Sequence, residues 1–210
     1  MTNDKFGRTG IIADSHGRSD LIETALKYLS NQNCGRIIHL GDICDSFSPQ
    51  TCDSCLNLLM ENHIPAVKGN NDHILEINQS ALSHPSISRG SLSYLKHLPR
   101  VLECADTVFA HSLPFFKELG NSCITRFMGE PEINRFFSMQ HHSILFRGHG
   151  HDPEMVWKHN GTVRCRELPA GSSVDLNSYL PCIVTCGALT DGLLMIWDAE
   201  TKSLASLSFL

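Results

Sequence analysis

No run in this sequence approaches the ~20 apolar residues that a membrane-spanning helix needs, and the opening MTNDKFGRTG has no apolar core of the kind a secretory leader carries. Both absences point to the cytoplasm. Positive charge is also in short supply. Seventeen Lys and Arg stand against 22 Asp and Glu, a net charge of -5, which leaves no basic footprint for nucleic acid as the main partner. Internal repeats and low-complexity stretches are missing. With 41% hydrophobic and 19% charged residues over 210 positions, the chain reads as one globular domain, 1–210, with enough length to bury a core.

Cysteine, by contrast, is plentiful. Nine is an odd number, and without a leader the thiols are expected reduced rather than paired in a disulfide framework. Cys52-Asp-Ser-Cys55 forms a CxxC, but no second CxxC accompanies it and it falls in an expected helix, Ser48 to Asn62. Core packing is the expectation for that pair.

The chain repeats one local pattern. Short apolar runs end in residues that bind metals. Gly10-Ile-Ile-Ala13 runs into Asp14-Ser-His16, and Arg36-Ile-Ile-His-Leu40 into Gly41-Asp42. Ile64–Val67 runs into Gly69-Asn70-Asn71-Asp72, Val108-Phe-Ala110 into His111, and Ser143–Phe146 into Gly148-His149-Gly-His151. Each run reads as a buried strand, and open α/β sheets hold their ligands at the carboxyl ends of strands. Between the first two strands, Leu21, Ile22, Ala25, Leu26 and Leu29 keep the helical period from Ser19 to Asn31. Strand, helix, strand in that order means a parallel pair. Val101–Cys104 is expected to pair with Thr107–Ala110. Later runs (155–158, 163–168, 182–185, 193–198 and 204–209) alternate with turns such as Asn160-Gly161, a strong hairpin signal.

From His73 to Pro99 the pattern is less regular, with one short helix expected from Ser91 to Leu98. Residues 113–142 hold five of the ten phenylalanines and one expected helix, Pro131 to Met139. The expectation there is a helix packed on the body, with a lid over the site or a dimer contact as alternatives. His39, inside a strand, reads as core; the pair His141-His142 reads as exposed.

Asp, His and Asn side chains in this mixture suit manganese, iron or zinc better than calcium. Asp42 is the natural carboxylate to offer one oxygen to each of two cations. The ordered series D-x-H, GD, GN, H, GHxH resembles the calcineurin-like metallophosphoesterases over roughly residues 9 to 198, and within them most of all the small bacterial and archaeal phosphodiesterases. That resemblance implies an α/β fold, an αββα sandwich of two packed mixed sheets flanked by helices. It implies two divalent metals, manganese first and iron, zinc or nickel as alternatives. One metal would take Asp14, His16, Asp42 and His151, the other Asp42, Asn70, His111 and His149. Hydrolysis would proceed by attack of a hydroxide bridging the metals on a small phosphodiester or other phosphorylated substrate.

The chain departs from the family's pattern in two places. Many members carry a His directly after Gly-Asn that protonates the leaving group. Here that position is Asn71, which leaves Asp72, whose usual role is to orient that His, without its partner, and leaves His73 as another proton source. Protein phosphatases of the family follow the bridging Asp with GDxxDRG, whereas this chain reads Gly41-Asp-Ile-Cys-Asp45-Ser46-Phe47 and has no Arg there. Arg18, Lys68, Arg126 and Arg147 are the remaining basic candidates, each expected on the solvated surface. A diester, with its single negative charge, is therefore the expected substrate class. A phosphomonoesterase, or a retromer-type scaffold on the same fold, is the alternative. The scaffold is disfavoured because all seven ligand positions keep their residue types.

Overall fold

In a computed structural model of the chain, residues 7–139 and 143–210 are described; the His141-His142 pair lies outside them. Two mixed sheets stack face to face. The first has the order β2(Arg36–His39), β1(Arg8–Ile12), β10(Leu193–Asp198), β11(Ser203–Ser208), β8(Ser173–Asp175). The second runs β3(Val101–Cys104), β4(Thr107–Ala110), β5(Ile144–Arg147), β9(Cys182–Thr185), β6(Glu154–His159), β7(Thr162–Glu167).

Strand alternation sorts the side chains into three cores. Ile11, Phe109, Phe146, Val184, Met195 and Trp197 point between the sheets. Ile12, Leu194 and Ile196, one residue out of step, face α1(Ser19–Asn31), α2(Cys52–Glu61) and α4(Arg89–His97). Val108, Leu145 and Ile183 face outward from the second sheet, toward Phe115, Ile124 and Phe136. The layers are therefore helix, sheet, sheet, helix, the αββα sandwich. No described helix is long and apolar enough to cross a membrane.

Cys52 and Cys55 are both buried in the core beside α1 and α4, as packing residues should be. Segment 113–139 holds a short helix α5(Phe116–Leu119), a 3₁₀ turn (Gly120–Ile124) and α6(Glu130–Ser138). Phe115 and Phe136 anchor it on the second sheet.

The structure departs from the sequence expectations in four places. Ile64–Val67 makes one bridge, His39 to Ala66, rather than a strand. Pro65 has no N–H to donate, its carbonyl and the Val67 N–H are used on His39, and the Lys68 N–H then turns away to the Pro99 carbonyl. The stretch read as irregular after His73 contains a helix, α3(Asn70–Ser80). Its polar sequence, with Leu75 the buried apolar residue, hides the helical period. The three-residue β8 has too little pattern to be read at all.

The fourth correction concerns charge. Lys68 and Arg147, expected at the surface, are buried. Lys68 donates to Glu76 Oε2 at 2.6 Å, and Arg147 lies between sheet and site with Thr185 Oγ1 3.5 Å away. Arg147 ends β5 and Lys68 directly precedes Gly69 at the start of α3, so the chain's path to the site carries both inward. Arg18 and Arg126 are exposed as expected, paired with Asp20 and Glu132.

Candidate metal centre

Two parallel strand pairs, β1 with β2 and β4 with β5, bring four carboxyl ends to one edge of the sandwich. Asp14 and His16 follow β1, Asp42 follows β2, His111 follows β4, and His149 and His151 follow β5. Asn70 comes from the first turn of α3. All seven expected ligands meet there.

The turns that deliver them are strained. Asp14, His16, Asp42 and His149 hold φ of 55°, 43°, 52° and 65°, a left-handed region that non-glycine residues enter rarely and mostly at functional sites. Backbone hydrogen bonds lock the strained turns together: Asp14 N–H to the Gly41 carbonyl and His16 N–H to the Asp42 carbonyl, both 3.0 Å. Gly69 has no room for a side chain, because a Cβ there would collide with the Asp42 backbone and carboxylate.

The ligands form two groups. His16 and His151 approach to 3.4 Å between their Nε2 atoms. On the other side His111 Nε2 lies 2.9 Å from Asn70 Oδ1 and 3.2 Å from His149 Nδ1. Asp42 stands between them, its Oδ2 3.9 Å from His16 Nε2 and its Oδ1 3.5 Å from His111 Nε2. Asp14 Oδ2 accepts the His149 N–H at 3.0 Å.

The chemistry of this donor set calls for cations. His111 Nδ1 donates to the Leu40 carbonyl at 2.9 Å. That bond fixes the tautomer and turns the Nε2 lone pair on Asn70 Oδ1 and Asp42 Oδ1, so acceptor faces acceptor. Asp14 Oδ1 and His149 Nε2 are buried with no hydrogen-bond partner. Burial, with Asp42 close by, holds the Asp14 carboxyl well above the usual range. Burial also lowers His16 and His111, and burial together with His111 brings His149 down to about 4. Neutral imidazoles and crowded carboxylates are what divalent cations bind. Asp14, His16 and His151 form one group with metal-binding spacing, and Asp14, Asp42 and His111 another. The residues fit.

The three expected catalytic residues take different places. Asn71 turns inward, its Nδ2 donating to Asp42 Oδ2 at 2.7 Å and its N–H to Oδ1 at 2.8 Å. Ser46 Oγ donates to Asn71 Oδ1 at 2.7 Å, a partner that nothing in its local sequence marks. Asp72 is buried and accepts the N–H groups of Ile43, Cys44 and Gly69. It thereby caps α3 and ties it to the Asp42 loop. Burial and Asp42 push its carboxyl up to about 7. His73 sits one turn beyond Asn70 on the same helix face, with Nδ1 3.6 Å from Glu76 and Nε2 3.4 Å from Asn121 Nδ2.

His39 is core, as expected. Its Nε2–H donates to Ser15 Oγ, which in turn donates to the Ile43 carbonyl, and its Nδ1 accepts the Gly41 N–H.

Comparisons with known proteins agree with the fold. A metallophosphoesterase from Sphaerobacter thermophilus superposes with a TM-score of 0.75 at 21% identity, covering 96% of this chain and 87% of that one. A novel archaeal phosphodiesterase gives 0.54 at 15% identity, covering 96% and 99%. A protein serine/threonine phosphatase from Saccharomyces cerevisiae gives 0.53 at 13% identity, covering 99% and 81%. Likeness at these identities establishes a shared fold. No curated protein sequence matches the chain. The family model of the calcineurin-like phosphoesterase superfamily domain matches residues 8–172, most of the chain and all seven gathered side chains, and the chain belongs to that superfamily.

Proposed function

We propose that the protein is a dinuclear metal-dependent phosphodiesterase acting on a small phosphodiester. Asp14, His16, Asp42 and His151 would hold one cation, and Asp42, Asn70, His111 and His149 the other. The position of Asp42 supports this division, since each of its oxygens faces an imidazole of a different group. Two such cations would neutralise charge on the phosphoryl group and supply an activated water for the attack; manganese is the first choice, with iron, zinc or nickel as alternatives.

The chain's own residues prepare the site. Asn71 holds both oxygens of Asp42 in place. The Leu40 carbonyl keeps His111 in the tautomer with Nε2 free to bind. Arg147, buried near Asp14, offsets some of the carboxylate charge.

The preference for a diester is supported by one observation: three of the four basic candidates are held in ion pairs. Arg18 is paired with Asp20, Arg126 with Glu132 and Lys68 with Glu76, while Arg147 is buried, with its Nε unpartnered. The three paired side chains offer no free cation to grip the second charge of a monoester. Neither Asn71 nor Asp72 serves as the acid for the leaving group, which leaves His73 as the remaining candidate. The Asn71 amide has no proton to give, and the Asp72 carboxyl is committed to three backbone N–H groups.

Metal-stripped protein reconstituted with each metal in turn tests the reading. With manganese, kcat/KM for bis(p-nitrophenyl) phosphate should exceed that for p-nitrophenyl phosphate. A preference for the monoester would replace it with the phosphatase reading. Two bound ions without turnover of either ester would point to a scaffold.

A further inference from the structure

The two most exposed large apolar side chains among the described residues are Phe47, 94% exposed, and Phe127, 79% exposed. A single exposed phenylalanine needs no explanation. Both of these, however, lie on segments fastened to the metal centre. The Phe127 ring leans on His149, with centroids 5.1 Å apart and planes at 42°. Its neighbour Arg126 offers its carbonyl to the hydroxyl of Ser112, a buried residue that directly follows His111. Phe47 follows Ser46, whose hydroxyl holds Asn71 and through it Asp42. The Phe47 N–H is bound by Asp45 Oδ1 at 2.9 Å.

We propose that Phe127, with Phe47 as a second rim contact, is a platform for a planar aromatic substituent on the substrate. The substrate class is then a phosphoester bearing a nucleobase or another aryl group. This inference rests on the phosphoesterase reading above and adds what that reading lacks, a feature that distinguishes one ester from another. The metal ligands can engage only the phosphoryl group, which all substrates share. Beside it, the tilted Phe127 ring keeps an apolar face open to solvent, and a planar group lying on that face covers surface that the fold leaves wet. Stacking of this kind tolerates different rings, because each has a π-face. Phe127 selects by shape and polarity rather than by hydrogen bonds.

The test is competitive inhibition of bis(p-nitrophenyl) phosphate turnover by two pairs of probes. Phenylphosphonate against methylphosphonate reports an aryl group; adenosine 5′-monophosphate against ribose 5-phosphate reports a nucleobase. Within a pair both probes carry the same kind of phosphoryl head, so a variant that merely weakens metal binding moves both together. The wild type should prefer the ring-bearing member of at least one pair by about tenfold, a typical stacking contribution. The pair with the larger ratio names the source of the ring. Phe127→Ala should bring that ratio close to one, Phe127→Leu should restore little of it, and Phe127→Tyr should restore most.

A ratio that survives Phe127→Ala, or is restored in full by Phe127→Leu, would overturn the platform. A wild type that binds both members of each pair equally would do the same and leave the phosphoesterase reading standing. If the metal-loaded protein bound no probe and turned over no ester, both readings would fall together.

Discussion

Asn71 grips both oxygens of Asp42, the side-chain amide bonding Oδ2 at 2.7 Å and the backbone N–H bonding Oδ1 at 2.8 Å. Asn71, at the position where the family resemblance implies a proton-donating His, thus steadies the Asp42 carboxylate. Rates should fall steeply as the leaving-group pKa rises, since an amide cannot supply a proton. Asn71→His should flatten that slope and raise rates on alkyl esters, where acid catalysis contributes about 10²–10⁴-fold. The same variant should slow nitrophenyl esters, because Asp42 loses its amide donor. A shallow wild-type slope that steepens in His73→Ala would assign the proton to His73 instead.

Asp42 faces both histidine groups, so Asp42→Ala should lose both metals and all turnover. Asn70 lies beside His111 alone, and Asn70→Ala should lose one metal more readily than the other. Elemental analysis of the purified variants checks this. Two tightly held ions in Asp42→Ala would refute the bridging role.

Gly69 packs its backbone against Asp42 with no space for a Cβ. Gly69→Ala must therefore move either the start of α3 or the Asp42 loop, and with it Asn70, Asn71 and the Asp72 cap. Overpacking of this kind costs about 1–3 kcal/mol. Denaturant unfolding should show a loss in that range, together with weaker metal binding. Wild-type stability and metal affinity in this variant would contradict the contact.

His39 is fully buried, and burial holds its pKa down to about 3, from 6.5 for a free imidazole. The unfolded chain takes up a proton at this ring as the pH falls below 6.5, while the folded chain does so only near 3. The contribution to stability is therefore full above pH 6.5 and is lost progressively between 6.5 and 3. The lowered metal-centre histidines act in the same direction, so the comparison is between metal-free wild type and metal-free His39→Asn. The variant should be less stable at neutral pH and should lose less further stability on acidification. Parallel pH profiles for the two would refute the assignment.

Much of the site was legible because six of the seven side chains lie within four residues of the end of the strand that delivers them. An apolar run ending at Gly41-Asp42 or Gly148-His149 announces both the strand and the turn, and both proved real. The helix α3 was hidden because its first turn is polar and its start is held by tertiary contacts: Gly69 against Asp42, and Asp72 on three backbone N–H groups. Ile64–Val67 looked like a strand by composition, yet Pro65 limits it to a single bridge. Lys68 and Arg147 looked like surface residues by type, but the packing of the chain around the site draws them inside, where Lys68 finds Glu76.

The sequence by itself determined the apolar runs and the Asp, His and Asn residues just past them, because strand alternation and strand-end turns are local properties, and the order of those motifs carried the resemblance that implied the family and the sandwich. Only the tertiary structure decided how those side chains face one another. His16 and His151 are 135 residues apart and meet at 3.4 Å because the two sheets stack with their parallel strand ends at one edge. The same packing turned Asn71 onto Asp42, committed Asp72 to the backbone and left Phe127 leaning on His149. Such orientations depend on the meeting of distant surfaces, and no local period encodes them.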